Sequence, residues 1–158
     1  MGRRSIKENK NIYQQYREEE GLTREQASEL TGFLSDDKIE KIESEKTSAR
    51  PEEVLALSRA YKRPELVRWF CSNECPIGKI YVPEVATKEL PNLVVEILAE
   101  LNTLEKSKER LIDIAADNVI SEDEKPDFYH ICGELSSLAE SASALQLWIE
   151  KKLYQEEE

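Results

Sequence analysis

A chain of 158 residues with 39% apolar and 35% charged side chains, and only eleven glycines and prolines, has the composition of a helical globular protein, not of a disordered or all-β one. No apolar run approaches the roughly 18 residues of a membrane span, and the first residues, MGRRSIKENKN, hold no apolar signal core. The expectation is a cytoplasmic protein with no membrane partner and with its three cysteines reduced. The net charge of −11 is uneven: residues 1–75 hold 14 Lys/Arg against 15 Asp/Glu, and residues 76–158 hold 8 against 18. The acidity belongs to the second half, and the first half is near neutral, without a strongly basic footprint.

Short helices with frequent stops fill the first half. Tyr13 and Tyr16 lie on a first helix that Gly21 should end. Thr23 with Gln26 makes a capping box for the second, in which Ala27 and Leu30 are the expected buried positions and Gly32 the close. Ser35 caps a third helix, with Asp36 and Asp37 at its positive end and Ile39 and Ile42 as its inward stripe. Pro51 suits the first position of a fourth, with Val54, Leu57 and Tyr61 inward. Pro64 opens a fifth carrying Leu66, Trp69 and Phe70.

The run CSNECPIGKIYVPEV, with two prolines and a glycine around a short β-branched stretch, reads as an extended linker and a domain boundary. Beyond it the apolar recurrence is long. Val94, Ile97, Leu101, Leu104, Leu111 and Ala115 mark one helix from about Leu90 to Asp117. Phe128, Ile131, Leu135, Leu138, Ala142, Leu145 and Ile149 mark another from about Pro126 to Tyr154. Joined by a short loop, they predict an antiparallel hairpin. Val95, Leu98, Leu147 and Trp148 fall off these stripes, so the hairpin has more apolar face than it buries alone. The expected organisation is residues 1–75 as a compact domain with an N-terminal arm, 76–88 as linker, and 89–158 as a dimerisation or interaction hairpin.

The stretch YREEEGLTREQASELTG…LSDDKIEKIE resembles the lambda-repressor-like helix-turn-helix of the Xre and Cro family, over roughly residues 9–70. Tyr16-Arg17, Gly21-Leu22-Thr23, Ala27, Gly32, Ser35 and Ile42-Glu43 occupy that family's slots. The wider arrangement is similar to phage- or mobile-element-type regulators of Gram-positive bacteria. The resemblance implies an all-α fold, with a five-helix DNA-binding domain ahead of the hairpin. It also implies a structural ion pair between Arg17 and Glu43, and a phosphate contact from Arg24. The turn, GFLS, is one residue longer than the family's usual turn, and Glu45 stands where a glycine is common.

Two helices joined by so short a turn hold the second proud of the surface, where its first turn can enter a major groove. Its outward residues here are Asp36, Asp37, Lys38, Glu40 and Lys41, after the Ser35 cap. Lysine can reach phosphate or guanine, and aspartate can accept from cytosine N4. Lys46 and Arg50 flank the following loop and add backbone contacts, and the arm supplies Arg3, Arg4, Lys7 and Lys10. The same face carries three carboxylates that repel phosphate, which keeps open a scaffold retained for protein contacts alone.

Other chemistry has less to stand on. Cys71, Cys75, His130 and Cys132 hold the atoms of a zinc site, but His130 and Cys132 point about 200 degrees apart on one helix. DIAADNVISEDE has the length of a calcium loop, yet Ala115 takes position three and Asn118 replaces the turning glycine. The better reading there is a helix stop at Asn118 and a Ser121–Glu124 cap. With one histidine and no glycine-rich phosphate loop, no catalytic set can be assembled. The expectation is therefore a non-enzymatic, sequence-specific regulator that needs no metal or cofactor. It binds double-stranded DNA as a homodimer through its C-terminal helices, and its acidic domain is open to a partner protein. The alternative is an adaptor or antirepressor on the same scaffold that does not bind DNA.

Overall fold

The computed structural model describes residues 10–156, and among them every regular element is a helix. In order these are α1 (Ile12–Glu19), α2 (Arg24–Thr31), α3 (Asp36–Glu43), α4 (Pro51–Ala60), α5 (Glu65–Asn73), α6 (Gly78–Tyr81), α7 (Leu90–Ala115) and α8 (Lys125–Glu156). The chain divides into two compact units. One contains the described residues up to Glu84 and the end of α8 from Glu150, and the other is Val85–Ile149.

Local chemistry sets the boundaries of the first unit. Thr23 accepts from Gln26 N while Gln26 Oε1 accepts from Thr23 N, closing both halves of a capping box. Ser35 Oγ accepts from Lys38 N at 3.2 Å. Pro51 begins α4, where its missing N–H is no loss, and Glu53 accepts from the Arg50 amide at 2.9 Å. Gly21 and Gly32 take φ of 72° and 76°, a left-handed conformation that reverses the chain after α1 and α2. Pro64 lies one residue ahead of α5, at its cap.

α2 packs on α3 and α4, α1 on α3, and α4 on α5. Their shared core holds Tyr13, Ala27, Leu34, Ile39, Ile42, Val54, Leu57, Tyr61, Leu66 and Phe70. One expected core position is wrong: Leu30 is 60% exposed, and Leu34 at 4% fills the core instead. The longer turn is the reason. Gly32 reverses the chain, Phe33 is exposed, and Leu34 is returned to the core.

The stretch expected to be an extended linker contains a helical turn, α6, packed on α5 inside the first unit. Gly78 makes this possible, because a Cβ there would lie 2.1 Å from the Cys71 carbonyl oxygen.

In the second unit α7 and α8 run antiparallel, as cross-links at two levels show: Ser141 Oγ donates to Glu100 Oε1 at 2.9 Å, and Arg110 Nε to Asp127 Oδ2 at 2.8 Å. Asn118 stops the chain at φ 59°, and Glu124 Oε2 accepts from both Ser121 N and Ser121 Oγ. The seam is rotated from the expected stripe. On α7 the buried residues are Leu93 and Ile114, with Leu90, Ile97, Glu100, Leu104, Ser107 and Leu111 half-buried between them. Val94, Leu101 and Ala115, expected inward, are exposed. On α8, Ile131, Ser141, Ala144 and Leu147 are buried, while Leu135, Ala142 and Ile149 face solvent. Glu100, Ser107 and Ser141 occupy seam positions, so polar residues masked its true line.

Candidate nucleic-acid interface

α3 is set by its two faces. Ile39 and Ile42 are at most 2% exposed and anchor it, which leaves Asp36 and Asp37 exposed and Lys38, Glu40 and Lys41 half-exposed. Its first turn begins at an exposed, Ser35-capped end where backbone amides add partial positive charge.

Beneath α3 lies an ion network. Glu43, its side chain 1% exposed, accepts from Arg17 Nε at 2.5 Å, from the second Arg17 nitrogen Nη2 at 3.0 Å, and from Arg24 Nε at 2.8 Å. Arg17 Nη1 also donates to the Leu22 carbonyl at 2.6 Å, tying α1 to the chain entering α2. Burial works against the Arg17 cation, but the hydrogen bond and charge of Glu43 outweigh it and raise its pKa. Tyr61 is buried in the same core; burial pushes its phenol up, and the charge of Glu43 adds to this.

The structure thus places Arg24 in a role the residues alone did not suggest. One edge of its guanidinium is held by Glu43, and no other hydrogen bond to it occurs among the described residues. Its side chain remains 40% exposed, and its terminal nitrogens make no hydrogen bond among the described residues.

Each lysine near α3 also has a carboxylate neighbour. Lys41 Nζ donates to Asp37 Oδ2 at 2.6 Å, one turn back, and this bond raises the Lys41 pKa. Lys38 Nζ lies 3.5 Å from Glu53 and 3.4 Å from Thr47 Oγ1. Lys46 Nζ donates to Glu40 at 3.0 Å, which holds the Glu40 carboxyl below its ordinary range. Arg50 is exposed at the cap of α4. Lys10 Nζ pairs with Glu18 at 2.5 Å, while Arg3, Arg4 and Lys7 lie outside the described residues. The spacing of Asp37 and Lys41 signals their pair in the sequence; Lys38–Glu53 and Arg24–Glu43 are made by the fold and have no local signal.

The remaining candidates assemble no site among the described residues. Cys71 and Cys75 are free thiols at the α5–α6 junction, where Cys75 Sγ accepts from Gly78 N at 3.4 Å. His130 Nε2 lies 3.2 Å from Glu134 on the same helix. Among the described residues no group of three or more His, Cys, Asp or Glu side chains is arranged to hold a metal ion, and no helix is long and apolar enough to cross a membrane.

The succession of a capped helix, a left-handed glycine turn and an outward-facing capped helix is also what comparison finds. Residues 14–70 match a helix-turn-helix domain family model. The match begins within α1 and ends within α5, so it spans the whole Arg17–Glu43–Arg24 network and leaves the hairpin outside. No curated protein and no solved structure matches the chain.

Proposed function

We propose that the chain is a sequence-specific, DNA-binding transcriptional regulator of the Xre, lambda-repressor-like type. In this reading it acts in the cytoplasm as a homodimer through its C-terminal helices. The observation that carries this reading is α3 itself: a capped, outward-facing helix on a helix-turn-helix domain, with Ile39 and Ile42 fixing its inner side and Lys38 and Lys41 on its outer side. Asp36 and Asp37 at its first turn can accept from cytosine N4, and Lys38 and Lys41 can reach guanine or phosphate. Lys46, Arg50 and the free edge of Arg24 surround that helix as backbone contacts. The regulator needs no cofactor and carries out no reaction. The acidic hairpin is repelled by phosphate and is the surface open to a protein partner.

The pairing of Lys38, Lys41 and Lys46 with carboxylates favours a second reading, an adaptor or antirepressor that keeps the scaffold without DNA. Capture of genomic fragments by the full chain, followed by anisotropy titrations on enriched duplexes at several salt concentrations, separates the two. The regulator enriches a discrete site and loses affinity linearly with log salt. An adaptor enriches none, and that outcome overturns the first reading.

A further inference from the structure

The second unit leaves one side of α7 uncovered, and its pattern matches itself in reverse. Val94, Leu98, Leu101 and Ile112 are 43%, 55%, 46% and 61% exposed. With Glu105 and Lys108 between them they recur at alternating spacings of four and three, a continuous heptad stripe. At roughly 100 degrees per residue, this stripe lies about a quarter-turn or more from the α7–α8 seam, as a second seam does in a four-helix bundle. The exposed residues are therefore a separate face and not an imperfectly buried part of the first.

We propose that this stripe docks, antiparallel, on the same stripe of a second copy of the chain. A twofold axis between Lys106 and Ser107 sets Leu101 opposite Ile112 of the second copy and Leu98 opposite Ala115 of the second copy. It sets Glu105 opposite Lys108 of the second copy. From Leu98 to Ala115 each apolar position meets an apolar one and each charge meets its opposite, while Val94 lies beyond the paired length.

Charge selects the occupant. Residues 85–149 hold 5 Lys/Arg against 13 Asp/Glu, whereas the stripe carries one acid and one base. A nucleic acid finds almost no cation there, and a basic protein finds its acidic targets off the stripe. A second copy brings a neutral, complementary strip and leaves the like charges of both hairpins facing water. Within one chain Lys108 Nζ already lies 2.5 Å from Glu105 Oε1, so a twofold contact joins two such pairs into a four-charge cluster.

The surface belongs to the homodimer proposed above and rests on that reading. Sedimentation of the full chain tests it with Leu101→Glu and Ile112→Lys, both at exposed positions where circular dichroism should show an unchanged fold. Each variant alone should self-associate on the order of tenfold or more weakly than the parent, because a charge is buried without a partner. An equimolar mixture should recover dimer, since the new glutamate then faces the new lysine while the second Leu101–Ile112 contact stays native. Variants that remain dimeric alone would overturn this face while leaving the dimer intact. Variants that are monomeric both alone and mixed would overturn the antiparallel pairing. A parent chain that is monomeric at all concentrations would remove the dimer itself.

Discussion

Arg17 and Glu43, 26 residues apart in sequence, meet through two hydrogen bonds under α3, and Glu43 takes a third from Arg24. The carboxylate is nearly sealed from solvent while two cations converge on it. Removing it with Glu43→Ala leaves the buried Arg17 with only the more distant Glu18 carboxylate, 3.9 Å from its Nη2, and the expected loss is about 3–5 kcal/mol by urea unfolding. Arg24→Ala leaves the Arg17 pair intact at a more exposed site and should lose about 1 kcal/mol or less. Comparable losses from both substitutions would show that Arg24, not Arg17, is the principal partner.

The Asp37–Lys41 bond lies on the surface proposed to meet DNA, and it occupies a lysine that the proposed contact needs. Asp37→Asn removes one negative charge and releases Lys41. Binding to non-specific duplex should strengthen several-fold, and the slope of log affinity against log salt should steepen by up to about one unit. Lys41→Ala should act in the opposite direction. At a specific site that Asp37 reads through cytosine, Asp37→Asn should relax discrimination even as it strengthens binding. Anisotropy titrations with a matched and a substituted duplex measure both effects, and no change in salt slope for either variant would place α3 away from phosphate.

Much of the first unit was legible because its signals are local. Thr23, Gln26, Ser35, Gly21, Gly32 and Pro51 act on backbone groups within four residues of themselves, and no tertiary information is needed to place them. Leu30 was misplaced because its exposure depends on where the turn carries Leu34, which no periodicity encodes. The same limit explains the hairpin. Two helices and their antiparallel order follow from the apolar recurrence, but α7 offers two apolar lines a quarter-turn apart. The true seam includes Glu100 and Ser107, so counting apolar residues mixed the two lines, taking Ile97, Leu104 and Leu111 from the seam and Val94, Leu101 and Ala115 from the exposed one. Lys38–Glu53 and Arg24–Glu43 were illegible for a simpler reason: each joins different elements.

Two glycines separate backbone strain from steric exclusion. At Gly32 a Cβ meets nothing within 4 Å, so the only penalty of Gly32→Ala is φ 76°, worth about 1–2 kcal/mol. At Gly78 a Cβ would lie 2.1 Å from the Cys71 carbonyl, and a backbone atom cannot rotate aside. Gly78→Ala should therefore displace α6, at about 1–3 kcal/mol or more. Hydrogen exchange distinguishes the two. Gly78→Ala should deprotect the Lys79 and Val82 amides, which donate to Cys75 and Gly78 carbonyls. Gly32→Ala should leave them unchanged, and deprotection by both would mean that α6 responds to global stability and not to its own contact.

Ser141 Oγ donates to Glu100 Oε1 within the α7–α8 seam, and the Glu100 Oε2 atom is buried with no hydrogen-bond partner. An apolar layer of similar volume should suit this position better, because one carboxylate oxygen gives up water for nothing. Ser141→Ala alone removes the remaining partner of Glu100 and should destabilise the chain by about 1–3 kcal/mol. Glu100→Leu with Ser141→Ala should reverse the sign, to a gain of about 1–3 kcal/mol in urea unfolding. The double variant should hold its helix pairing less strictly, since a polar pair in an apolar seam penalises every other register. A double variant less stable than the parent would mean that the Glu100–Ser141 bond more than offsets the buried oxygen, and that the polar layer stabilises the hairpin outright.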